Sequence, residues 1–404
     1  MTTDLHAAAP AASHAAEPEL PSTSRLRALV GQPEVVAGLA RTIAHADDPR
    51  VMTHAWLFTG PAGSGRSVAA RAFAAELQAA GAADPDRQRA LVDADTHPDV
   101  QVLATEAMTL AVADVRRMVR EAQLSPSVGR WRIQIIEDAD RMTEYTSNAL
   151  LKSLEEPPER TVWMLCAPAA SDLLPTIRSR VRVVRLGTPA PEAIAELLQR
   201  ESGVDAALAF QCARAAQCHI GMARRLATNA EARQRRHDSL TALLGVRSLA
   251  GAMGVSRDLL AIARADADAL VGDEERQERT RLLRQMGLGP DDTVPPRLRS
   301  QLREAEDRWK RRAKRALVDG VDRVLTDAQS LLRDALVTVL DPGRDLVNAD
   351  LAADLAAFRA RYTSVQLLRM IDAADEARAQ LARNVSPALV LDAFLAALVP
   401  GVLA

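Results

Sequence analysis

Residues 60–67 run Gly60-Pro61-Ala62-Gly63-Ser64-Gly65-Arg66-Ser67. Glycines at this spacing let the backbone curl until several N–H groups face one anion. A helix starting directly behind them adds the positive end of its dipole. Such a loop grips phosphate, and Ser67 stands where a hydroxyl would meet Mg²⁺. The pattern G-x-x-x-x-G-K-[ST] is broken at one place, where Arg66 replaces lysine. Lysine reaches the β- and γ-phosphates as a compact charge, whereas arginine is planar, forked and bulkier. The exchange is expected to weaken productive nucleotide binding. A second pair of residues should hold metal and activate water. The apolar run Ile133-Gln134-Ile135-Ile136 ends in Glu137-Asp138. A metal-organising strand in such a site ends in the opposite order, Asp-Glu. Here Glu137 is one methylene too long for the metal position and Asp138 one too short for the water.

These residues need a scaffold that brings a loop and a distant strand end together. Short apolar runs at Ala55–Thr59, Val100–Leu103, Arg132–Ile136, Val162–Cys166 and Val181–Leu186 read as strands. Helical spacing separates the first four, at Ser67–Gln78 and at Leu110–Gln123, where Val112, Val115 and Val119 recur. Pro33–Ala46 predicts a further amphipathic helix. Strands separated by helices imply a covered parallel sheet. After Leu186 the strand signals stop. The expected fold is therefore an α/β P-loop core with a parallel sheet, followed by all-α segments. The expected divisions are a disordered tail at 1–23, the core at 24–187, a small helical lid at 188–231 and a helical oligomerisation domain at 232–404. Gly287–Pro296 and Pro342-Gly343 break the later helices, and Ser386-Pro387 opens a last one.

Composition narrows the classes. Charges nearly cancel, 51 Lys and Arg against 53 Asp and Glu, and hydrophobic residues make 48% of 404. Three cysteines exclude a disulfide scaffold and suggest a reducing compartment. Aromatics at 3% argue against a surface built on stacked bases. No apolar run reaches membrane-spanning length. Arg297–Arg315 holds nine basic and three acidic residues, densest at Arg308–Arg315. It would serve either a phosphate backbone or acidic partner, or simply a solvated helix face; the second is favoured.

Glu137-Asp138-Ala139-Asp140-Arg141-Met142-Thr143, then Asn148–Pro158 (NALLKSLEEPP), then Thr176-Ile177-Arg178-Ser179-Arg180 resemble the AAA+ clamp-loader subunits of bacterial DNA polymerase III. His54–Phe58 and Val30-Gly31-Gln32 fit the same resemblance, which is strong over about Leu26–Thr228. The degenerate loop points within that family to its delta-prime type, closest to the actinobacterial form, with a collar as the C-terminal domain. The resemblance implies roles at numbered positions. Ser179-Arg180 matches the family's Ser-Arg-Cys motif, with Val181 for the cysteine, so Arg180 would be an arginine finger acting in trans on a neighbour's ATP; Arg178, Arg182 and Arg185 lie close by as competitors. Gly60, Gly63, Gly65, Arg66, Ser67, Glu137 and Asp138 would form the degenerate nucleotide site, with Arg224 as its lid arginine and Arg225 as a rival. The Thr or Asn expected to orient water falls at Ala167-Pro168.

The resemblance further implies a subunit without its own ATPase or polymerase activity, working in the cytoplasm at the nucleoid-associated replisome. Its partners would be the motor (tau/gamma) and delta subunits, the sliding clamp, and primed DNA through the assembled complex, with no membrane. No cofactor is required, and residual ATP/Mg binding stays open. The family's four-cysteine zinc module has no counterpart in Leu77–His97, so no zinc is expected; Cys166 falls on a strand and Cys212 and Cys218 six apart on a helix. Two alternatives stay open: a weakly active motor-like clamp-loader ATPase, and a P-loop-derived DNA-binding adaptor.

Overall fold

The computed structural model describes residues 20–402 except 106–108, 287, 290, 291, 293, 294, 296, 297 and 342. The expected tail lies outside the described residues as far as 19. The folded unit begins before residue 24, because Leu20–Thr23 are held by side chains from it. Arg27 donates to the carbonyls of Leu20 and Pro21 at 2.7 and 3.0 Å, and Arg89 donates to Thr23 Oγ1 at 3.1 Å. The chain forms two units, 20–104 with 110–189, and 190–402 with 105 and 109.

In the first unit α1 (Pro33–Ala44) precedes β1 (Ala55–Thr59), and α2 (Arg66–Ala79) and α3 (Pro85–Asp93) precede β2 (Val100–Leu103). Then α4 (Val112–Ala122) leads to β3 (Arg132–Ile136), α5 (Glu144–Glu155) to β4 (Thr161–Ala167), and the short α6 (Pro175–Arg178) to β5 (Arg182–Arg185). All pairings are parallel, in the order β2-β3-β4-β1-β5. This is the expected α/β core with a parallel sheet. The period-two alternation of strand side chains divides β1 between two cores. Trp56 and Phe58 join Phe73 of α2 on one face, while Ala55 and Leu57 join Val115, Met118 and Leu150 on the other. Trp56 meets Phe73 edge-on at 5.0 Å between ring centres. Full burial of each such side chain contributes about 2–3 kcal/mol. Helix α2 is buried along almost its whole length; its alanines, Ala69, Ala70, Ala72, Ala74 and Ala75, let it sit close under the sheet.

Helix α3 occupies the stretch that carried no expected element. Asp84 accepts from the Arg87 N–H at 3.0 Å and Pro85 takes the first helical position, a local signal that was there to be seen. Arg89 of α3 and Glu76 of α2 form a buried forked pair at 2.9 and 3.0 Å.

The second unit is helical: α7 (Pro191–Ser202), α8 (Ala206–Ala215), α9 (Ile220–Thr228), α10 (Ala230–Leu244), α11 (Leu249–Gln285), α12 (Arg299–Leu340), α13 (Ala352–Arg359), α14 (Ser364–Ala382) and α15 (Pro387–Ala397). At 1.5 Å per residue α11 and α12 run about 55 and 63 Å. Their shared core, with α10, α14 and α15, includes Leu240, Leu259, Leu325, Leu332, Met370 and Phe394. The expected boundary near 231 falls inside the first turn of α10, which Asn229 caps by accepting from the Ala232 N–H at 2.9 Å. Cys218 lies beyond the end of α8 with φ of 63°, so it does not share a helix with Cys212. Ser386 caps α15 by position only, without a side-chain bond. The expected breaks at 287–296 and 342 fall largely outside the described residues.

Arg297 is likewise outside the described residues, and Arg299–Arg315 forms the first turns of α12. The segment is partly neutralised by α11. Trp309 is buried and its Nε1 donates to Glu278 at 3.0 Å, and Arg308 and Arg312 approach the same carboxylate at 3.7 and 3.4 Å. Arg311 and Lys314 remain exposed. Among the described residues no helix is long and apolar enough to cross a membrane.

Candidate functional site

The buried strand β1 delivers the chain to Gly60 at the carboxyl edge of the sheet. There the Gly60 N–H donates to the Pro168 carbonyl at 3.1 Å, and the Leu186 N–H donates to the Thr59 carbonyl at 2.7 Å. A Cβ on Gly60 would stand 2.6 Å from the Leu186 carbonyl oxygen and equally close to Ser64 Oγ. Gly63 and Gly65 have φ of 79° and 89°, the left-handed region, and Gly65 is the N-cap of α2. The loop therefore has a phosphate-cradling shape, and its glycines are where the geometry needs them. Arg66 differs. Its Nη1 donates to the Gly60 carbonyl at 2.7 Å, so the guanidinium folds back onto the loop that carries it.

Glu137 and Asp138 follow β3, which is two strands from β1. The Glu137 carboxylate takes Arg71 Nε of α2 at 2.6 Å, and Arg71 also pairs with Asp95. Burial works against the charge on Arg71, but the two carboxylates outweigh it and hold its pKa above the ordinary value. Asp138 lies 3.7 Å from Arg141. Asp140 is pushed up by burial, with the Asp138 charge adding to the effect. Cys166 on β4 feels the whole cluster. Burial raises its thiol pKa, Glu137 and Asp138 reinforce the shift, and Arg66 and Ser67 oppose it. The loop, the acids and the end of β4 thus converge on one place. Ala167-Pro168 sits there without a side-chain polar group. With Arg66 turned onto Gly60 and Glu137 engaged by Arg71, these residues fit a Mg-nucleotide poorly.

Arg180 lies just past α6 and is only part-exposed. It donates to the Thr176 carbonyl at 2.7 Å and Ser179 Oγ at 3.0 Å, and its Nη2 meets Glu155 at 2.8 Å. Of its neighbours, Arg182 stacks over Trp56 at 4.9 Å and donates to the Val51 carbonyl, a packing role; Arg178 and Arg185 are exposed. In the second unit Arg224 forms a forked pair with Glu201 at 2.7 and 2.8 Å, which raises its pKa, whereas Arg225 meets Asp266 at 3.0 Å.

Residues 31–190 match the family model described as DNA polymerase III, delta subunit. A DNA polymerase III subunit delta' from Pseudomonas aeruginosa is 40% identical over 151 residues, which is 36% of this chain and 45% of that protein. Residues 31–190 are thus similar to the clamp-loader delta-prime subunits. A delta' subunit from Bacillus subtilis is 30% identical over 151 residues, 36% of this chain and 46% of that one. A gamma/tau subunit from Mycobacterium bovis is 32% identical over 178 residues, 43% of this chain and 30% of that protein. The chain spans less than half the length of these curated relatives. Among solved structures, a Thermotoga maritima protein described as DNA polymerase III, gamma subunit-related is 17% identical, covers 89% of this chain and 97% of that one, and has a TM-score of 0.38.

Several further residues shape this α/β unit. Arg71 binds Glu137 from one turn beyond the loop, and Glu155 holds Arg180 from within the Asn148–Pro158 run. Asp99 is fully buried and accepts from the N–H groups of Ser127, Val128 and Gly129 at 2.8, 2.7 and 2.7 Å, fixing the turn before β3. Nothing local marks these partners, because each pair is far apart in sequence. Among the described residues no three His, Cys, Asp or Glu side chains gather as a metal-ligand set.

Proposed function

We propose that this chain is a delta-prime subunit of a DNA polymerase III clamp loader that has given up its own ATP hydrolysis and supplies Arg180 to a neighbouring subunit's ATP. The observation that carries the reading is the Arg66 guanidinium, which donates to the Gly60 carbonyl within its own phosphate loop. The Glu137–Arg71 pair and the apolar Ala167-Pro168 support it. The chain would complete an assembly with motor (tau/gamma) and delta subunits. That assembly would open the sliding clamp and place it on primed DNA, in the cytoplasm at the replisome. Arginine suits the trans role because it stays charged and stabilises a transferring phosphoryl group. In the free chain Glu155 holds it. The chain's own site needs neither cofactor nor zinc in this reading, and residual ATP/Mg binding would require Arg66 to leave Gly60.

Reconstitution of the loader with Arg180→Ala tests the proposal. Assembly close to normal with a loss of about 10³-fold in clamp- and DNA-stimulated ATPase is expected, by analogy with fingers supplied in trans. Unchanged ATPase would overturn the assignment. Arg66→Ala should alter turnover far less, and an equal loss would favour a motor-like ATPase, the reading that the gamma/tau relative favours.

A further inference from the structure

Within the helical unit a cavity of about 360 Å³ opens between α9, α10, α11 and α12. Its walls are largely aliphatic, with Met222, Leu226, Leu243 and Ile262 among them. Four arginines and three aspartates also face it. Their charges do not pair off. Asp327 is taken by Arg236 at 3.0 Å. Asp266 is shared by Arg225 and Arg235, each at 3.0 Å. Asp319 lies 3.5 Å from Arg315. Asp322, the other carboxylate close to Arg323, is held by Arg378 at 2.7 Å.

Arg323 is left over. It lines the cavity, and among the described residues it makes no hydrogen bond or ion pair. Burial lowers its pKa, and the fields of Asp327, Asp322 and Asp319 only partly offset this. A guanidinium carries five N–H donors in a fixed fork and does not give up its proton. Leaving it part-buried without acceptors is costly. The fork matches the two oxygens of a carboxylate or phosphate. Aliphatic walls with a few convergent polar groups are also the usual make-up of a small-ligand site.

We propose that this cavity binds a small oxyanion carried on an apolar body, with Arg323 gripping the anion and the aliphatic wall taking the rest. The bound molecule would tie α9 to α11 and α12. The site belongs to the helical unit alone and does not depend on the reading of the phosphate loop.

Titration calorimetry on the full chain tests this with three probes: phenyl phosphate, benzoate and inorganic phosphate. Saturable binding of an aromatic probe with a Kd below about 1 mM is expected, at least tenfold tighter than inorganic phosphate. Preference for phenyl phosphate or for benzoate assigns the natural anion to phosphates or to carboxylates. Binding should weaken at least tenfold in Arg323→Gln; if that variant does not fold, Arg323→Met carries the comparison. Without ligand, Arg323→Met should raise Tm by about 3 °C, because it removes a part-buried cation that no hydrogen-bonded partner compensates. No saturable binding by either aromatic probe, equal affinity for inorganic phosphate, unchanged affinity in the Arg323 variant, or a lower Tm for Arg323→Met would each overturn the proposal.

Discussion

Replacing Arg71 by methionine should expose how firmly Glu137 is committed. The two side chains are 31% and 17% exposed and meet at 2.6 Å. Glu137 has anionic neighbours, since Asp138 follows it and Asp140 is close enough to Asp138 to feel its charge. Two unit charges about 4 Å apart attract by about 4 kcal/mol at an effective dielectric near 20 and by about 1 kcal/mol in water. A pair this far buried lies between those limits, at about 2 kcal/mol. The single variant Arg71→Met should cost about 3 kcal/mol, because it leaves Glu137 facing its acidic neighbours without compensation. Its second partner, Asp95, is 54% exposed and adds little. Glu137→Gln alone should cost about 1–2 kcal/mol, and the double variant about 2–3 kcal/mol, the sum of the two less the pair energy of about 2 kcal/mol. Urea unfolding followed by tryptophan fluorescence is the assay, since Trp56, Trp131 and Trp163 all belong to the α/β unit. A coupling energy in the double-mutant cycle below about 0.5 kcal/mol would refute the argument. Glu137 would then be free to organise a metal.

Asp99 gives a pH-dependent prediction. Burial alone would raise its pKa, but hydrogen bonds from Gly129, Ser127 and Val128 outweigh that and hold it below the ordinary carboxylate value. Its folded pKa is thus lower than its unfolded one, so its contribution is complete above the unfolded pKa and is lost as pH falls through the folded one. Asp99→Asn should cost about 3 kcal/mol at pH 7, with the gap to the parent narrowing below about pH 4; a gap constant with pH in urea titrations contradicts this. Gly60→Ala should cost about 2–4 kcal/mol, measured the same way, because the new methyl would stand 2.6 Å from the Leu186 carbonyl oxygen. Arg224→Ala removes an ion pair whose partners are 49% and 41% exposed, so thermal unfolding should reveal a loss under about 1 kcal/mol.

What could be read along the chain was what is decided locally. Glycine spacing marked the loop, because left-handed backbone at Gly63 and Gly65 needs residues without a Cβ. Alternation of apolar runs with helical spacing gave five parallel strands nearly at their observed ends, since side-chain period is a property of the backbone itself. The same local chemistry stands at the start of α3 in Asp84-Pro85, where apolar spacing alone predicts no helix. The substitution of Arg66 for lysine was plain, but its destination was not. That the guanidinium returns to Gly60, that Glu137 is held by Arg71 from 66 residues away, and that Arg180 rests on Glu155 depend on which helix the sheet brings beside which strand end. The cavity around Arg323 depends on four helices meeting, and no single segment of sequence encodes it. Residue types and their spacing determined the chemistry on offer; only the packed fold decided which charges were already taken, because Coulomb attraction and desolvation act through space and not along the chain.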